Sequence, residues 1–148
     1  MRRLLTSILN VPRAFHHVRT AVLYNRTAMQ HLPPSLREAV QRLEQGLKDL
    51  YGERFRGLLL YGSYAKGDAR DGSDVNLLLL LDGPVNTVRE ILYLEDLKWP
   101  LSLEYDTVLF VMPVSAQAFD KAETMFLRSV RKELVPLEFS DEPAIAIE

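Results

Sequence analysis

Two apolar runs, residues 58–61 and 77–81, stand on either side of a polar loop that carries Gly62, Gly67 and Gly72. Runs of this length bounded by Gly and Asp read as buried strands. Ahead of them Leu36, Ala39, Val40, Leu43, Leu47 and Leu50 recur at helical spacing and predict one apolar helix face. Pro33-Pro34-Ser35 begins this helix, Ser35 and Glu38 have capping-box spacing, and Gly52 marks its stop. Beyond the second run Gly83-Pro84 ends the strand, and residues 85–97 read as a helix that Trp99-Pro100 breaks. A third strand is expected near 103–112, with Glu104, Asp106 and Val108 on one face by alternation. Ser115 is placed to cap a helix over 117–122. A last helix over 125–134 turns Phe126, Leu127, Val130 and Leu134 inward. The order predicts an α/β fold, a small mixed β-sheet covered by helices.

The ends differ from the middle. Leu4, Leu5, Ile8 and Leu9 have helical spacing until Pro12, and Phe15, Val18 and Val22 form a second stripe beside His16 and His17. Arg2, Arg3, Arg13, Arg19, Arg26 and Arg37 are the charges before residue 38, so all 20 acids fall in the remainder. Residues 1–28 therefore read as a basic N-terminal extension, either poorly ordered or docked as an extra helix. Met29 stands at the start of the domain, so a start codon assigned too far upstream would also explain the leader. The domain is expected over 29–137, and 138–148 as an acidic, frayed tail.

Composition narrows the classes. A hydrophobic fraction of 47% and a charged fraction of 26% suit an ordinary globular domain, and the length allows one core. No apolar run has the length of a bilayer crossing. Cysteine is absent, which excludes disulfides, thiolate metal sites and a cysteine nucleophile, and fits a cytoplasmic location. A net charge of −2 gives no bulk attraction to nucleic acid, so direct nucleic-acid binding is not expected. His16, His17 and His31 have no cysteine or adjacent acid to complete a metal set.

The loop carries the candidate chemistry. Gly62 permits a sharp turn and close approach of a ligand, and the turn amides with the Ser63 hydroxyl suit an anion. Lys66 and Arg70 are available to neutralise phosphate charge, or to stand as solvated loop charges. Asp74 is a hard oxygen ligand, and Asn76, two residues on, leaves the same strand face. Such a set can hold Mg²⁺ beside a phosphate, though Asp and Asn also terminate hairpin loops with no ligand.

Gly62-Ser63, ten residues, then Asp74-Val75-Asn76 resembles the signature of the nucleotidyltransferase superfamily that includes DNA polymerase beta. Leu103-Glu104-Tyr105-Asp106, Pro113-Val114-Ser115 and the stretch from Phe126 to Arg131 extend the likeness to its minimal members, over about residues 33–135. The resemblance implies a polymerase beta-like fold and a transferase that uses Mg²⁺ and ATP. Minimal members often act as antitoxins that transfer AMP to a tyrosine of a HEPN-domain toxin partner. By this pattern Gly62, Ser63 and Lys66 bind the nucleotide, and Asp74, Asn76 and Asp106 are the catalytic and metal positions. Two departures stand out. Asn76 replaces a carboxylate, which removes a full negative charge from the metal site. The third acid is Asp106 or Glu104, since a position acidic in other members is Val108 here. The alternative implied is a degenerate nucleotidyltransferase that masks its partner by binding. A small-molecule transferase or a polymerase fits less well, for want of an acceptor domain or a basic template surface.

Overall fold

In the computed structural model, which describes residues 22–134 and 138–140, the chain alternates strands and helices. A short strand β1 (Val22–Tyr24) leads through Asn25 to the helical turn α1 (Arg26–Met29) and the long helix α2 (Pro34–Tyr51). A 3-10 turn then enters β2 (Phe55–Tyr61), followed by the single turn α3 (Ser63–Lys66) and β3 (Val75–Leu81). The remainder is α4 (Thr87–Glu104), β4 (Leu109–Ser115), α5 (Ala116–Lys121), α6 (Met125–Glu133) and β5 (Glu138–Ser140). The strands make one mixed sheet in the order β4, β3, β2, β1, β5. β2 and β3 are antiparallel, while β3 with β4 and β1 with β2 are parallel. This is the small helix-covered mixed sheet expected from the pattern.

β3 is apolar at nearly every position because both of its faces are covered. Leu77, Leu79 and Leu81 pack with β2 residues and with Leu43 and Leu47 of α2 and Leu94 of α4. Leu78 and Leu80 meet Phe119 of α5 and Leu127 and Val130 of α6 on the other side. Each fully buried leucine contributes about 1.5–3 kcal/mol, so this strand anchors both layers.

Several expectations are corrected. α2 begins at Pro34 with Pro33 as its N-cap, and no side chain caps it. Proline's fixed φ starts the helix before Ser35 can cap it. α4 runs through Pro100 to Glu104 instead of stopping near Leu97. Proline within a helix costs about 3 kcal/mol, but Leu94 and Leu101 are buried on either side of it, each contributing about 1.5–3 kcal/mol. The third strand consequently starts at Leu109, so Leu103 and Glu104 belong to α4. Phe126 is not an inward residue of α6; it is 41% exposed.

The sheet also begins earlier than residue 29. β1 pairs with β2 and β5, and Asn25 is buried between them and α1. The Asn25 amide donates to the Leu60 carbonyl at 2.6 Å, and its oxygen accepts from Leu60 N–H at 3.0 Å. This pair of hydrogen bonds between side chain and backbone fastens the chain leaving β1 to the end of β2. Glu138–Ser140, expected to fray, forms β5. His16, His17, the stripe over 4–9 and residues 141–148 lie outside the described residues. Among the described residues no helix is long and apolar enough to cross a membrane.

A candidate nucleotide site at the end of the central hairpin

β2 and β3 are paired from Phe55↔Leu81 to Tyr61↔Asn76, so the site residues gather at one end of this hairpin. Gly62 follows β2 with φ 80° and ψ −156°, a conformation that only glycine adopts readily. A Cβ at Gly62 would come 2.7 Å from Asn76 Nδ2. The bare backbone of Gly62 and the Asn76 amide are thus packed against one another, which joins the two halves of the motif. Ser63 opens α3 directly after Gly62, and Gly67 ends that turn in the left-handed region. The loop that follows is tied by Arg70 N–H to Ser73 Oγ at 2.9 Å and by Ser73 N–H to the Arg70 carbonyl at 2.9 Å. Asp74 comes next, exposed, immediately before β3.

Across the sheet, Asn76 has Tyr61 as partner on one side and Phe110 of β4 on the other. Partners in register share a sheet face, so an amide stands between two aromatic rings. The Tyr61 ring makes an edge contact with Phe126 of α6, centroids 5.7 Å apart. Val108 lies just before β4, and its carbonyl accepts from Val75 N–H at 2.9 Å. Val108, Phe110 and Phe126 are exposed apolar residues beside the site.

Of the acids expected from the third strand, neither is on it. Glu104 closes α4 and pairs with Arg42 of α2 at 2.6 Å. Asp106 sits in the turn after α4 with φ 49°. It lines a cleft with Leu36, Tyr64, Ser73, Trp99 and Thr107, a cleft whose walls include neither Asp74 nor Asn76. The alternation that gave Glu104 and Asp106 a common strand face does not apply, because α4 continues where the strand was expected.

One site residue was not anticipated. Glu133, the last residue of α6, accepts from Gly62 N–H through Oε2 at 3.3 Å and pairs through Oε1 with Lys66 Nζ at 3.0 Å. Bonding and charge from Glu133 raise the Lys66 pKa, so the ammonium stays protonated. Burial, then the Glu133 charge, raises the Tyr61 pKa, which keeps its phenol neutral. The sequence signals only that an acid at a helix C-terminus, facing the negative end of the macrodipole, gains from a positive partner; it does not say which partner or where.

Among the described residues no three His, Cys, Asp or Glu side chains gather to hold a metal ion by themselves. One exposed carboxylate, Asp74, with the amide oxygen of Asn76 nearby is instead a donor set suited to Mg²⁺ shared with phosphate oxygens and water.

A model of the nucleotidyltransferase domain family matches residues 40–136, a span that holds Gly62, Asp74, Asn76 and Glu133. A protein of Methanocaldococcus jannaschii that bears the provisional name of protein adenylyltransferase is 31% identical over 97 residues, covering 65% of this chain and 91% of that protein. No solved structure matches the chain.

Proposed function

The chain belongs to the nucleotidyltransferase domain family, and from that premise we propose that it transfers AMP from Mg-ATP to a protein partner. The observation that carries the proposal is the juxtaposition of Gly62 and Asn76, which brings the glycine-serine turn and the aspartate-containing strand to one point. The relative's name supports a protein as acceptor. The exposed apolar set Val108, Phe110 and Phe126 beside the site also suits a protein surface. The partner proposed is a HEPN-type toxin, which would make this chain its antitoxin.

In the proposed reaction a hydroxyl oxygen of the partner attacks the α-phosphorus of ATP. The bond from that phosphorus to the α,β-bridging oxygen breaks, pyrophosphate leaves, and the hydroxyl proton is released. Gly62 N–H, Ser63 and Lys66 hold the triphosphate. Asp74 and Asn76 would hold Mg²⁺, which supplies charge neutralisation at the phosphates when bound. Asp106, expected as the third acid, lines the neighbouring cleft apart from Asp74 and Asn76, and the β4-side positions beside them are Val108 and Phe110, so the proposal gives it no step in the transfer.

A second role is favoured by one observation: Asn76 and its β4 neighbour Phe110 carry no charge. A site with one firm carboxylate activates a hydroxyl weakly, and a chain of this kind could neutralise its partner by binding alone. The test mixes the protein with labelled ATP, Mg²⁺ and the product of the neighbouring gene. AMP added to the partner, and a large gain with Asn76→Asp, is the expected outcome. A stable complex with no adduct at any ATP concentration, in either protein, would leave masking as the function.

A further inference from the structure

Glu133 commits both carboxylate oxygens to the turn after β2. Oε2 takes Gly62 N–H at 3.3 Å and Oε1 takes Lys66 Nζ at 3.0 Å, with the Glu133 side chain 24% exposed. A negative charge at the C-terminus of α6 is disfavoured by the helix dipole, and these two donors compensate it together with the basic last-turn residues Arg131 and Lys132. They are also two of the donors that the proposed nucleotide site offers to a triphosphate. A carboxylate and a phosphate oxygen compete for the same N–H and ammonium hydrogens, and two anions a few ångströms apart repel.

We propose, resting on the nucleotide reading above, that Glu133 occupies a phosphate subsite in the unliganded protein and sets nucleotide affinity. The polyphosphate chain of the donor binds by displacing the Glu133 carboxylate from Gly62 and Lys66. The displacement needs no change of fold. Leu134, the next residue, is buried and fixes the end of the helix, while the Glu133 side chain can rotate about its own torsions toward solvent. Lys66, exposed on its single turn, stays charged and passes from carboxylate to phosphate. The carboxylate thus keeps the turn ordered and its donors satisfied when no nucleotide is present. Its cost falls on polyphosphate ligands alone: a ligand bearing a polyphosphate must displace Glu133, and a ligand without phosphates need not.

Titration calorimetry on the full chain and on Glu133→Gln distinguishes the roles, with Mg-ATP, inorganic tripolyphosphate and adenosine as probes. Glu133→Gln keeps the size of the side chain and removes its charge; Glu133→Ala serves as a second variant, and thermal melting checks that both are folded. The expected result is about tenfold tighter binding of Mg-ATP and tripolyphosphate in both variants, the change that one charge-assisted hydrogen bond is worth. Adenosine binding is expected to stay the same. If the parent chain binds Mg-ATP and the variants bind it equally or more weakly, Glu133 is a supporting residue and the inference fails while the nucleotide site stands. If neither parent nor variants bind Mg-ATP or tripolyphosphate, the inference and the nucleotide site fail together.

Discussion

At the scale of single residues, Gly62 is constrained twice over. Its φ of 80° with ψ −156° excludes side chains, and Asn76 fills the space a Cβ would take. Gly62→Ala is therefore expected to destabilise the fold by about 1–3 kcal/mol and to weaken Mg-ATP binding, since the Asn76 amide must move. Urea unfolding beside nucleotide titration measures both effects; an alanine variant with unchanged stability would show that the turn relaxes. The glycine, the serine and Asp74 were legible because they form a spaced motif. Glu133 was not, because it reaches the site from far along the chain, between Gly62 N–H and Lys66. Sequence spacing does not disclose a contact made by tertiary packing.

Among the elements, the central hairpin was the most legible, since β3 is buried on both faces and reads as an unbroken apolar run. α4 was the least. Its proline reads as a stop, yet burial of Leu94 and Leu101 carries the helix past it and moves the start of the next strand to Leu109. That shift is why Asp106 lies in a turn and not on a strand face. α2 and α4 are further joined where the Tyr51 hydroxyl donates to Glu90 Oε1 at 3.0 Å. Burial, then the bond to Glu90, raises the Tyr51 pKa well above the ordinary tyrosine range. The folded state thus holds the phenol proton more tightly than the unfolded chain. Its contribution is complete below about pH 10 and is lost as pH rises toward the folded value. Tyr51→Phe should cost about 1 kcal/mol near neutrality and give a shallower loss of stability above about pH 10. Urea midpoints across that range test this; an unaltered alkaline slope would show that Tyr51 is not the group responsible.

For the whole molecule, the layers put helices α2 and α4 on one face of the sheet and α5 and α6 on the other. The site is at the end of the hairpin, where α6 can reach it. The class of fold was legible in the order of elements, but its first strand was not. β1 is three residues long, and what secures its end is the pair of bonds from Asn25 to Leu60, 35 positions away. So short a segment has no periodicity to detect. The charge asymmetry marked residues 1–28 as separate, and the sheet claims their last part from Val22 onward. The nucleotide site proposed at this hairpin end has Asp74 as its one firm ligand. Calorimetric titration of Mg-ATP into the full chain and into Asp74→Ala measures it directly. Saturable binding by the parent chain, lost in Asp74→Ala with the fold intact, is the predicted result; equal binding by the two proteins would contradict the claim.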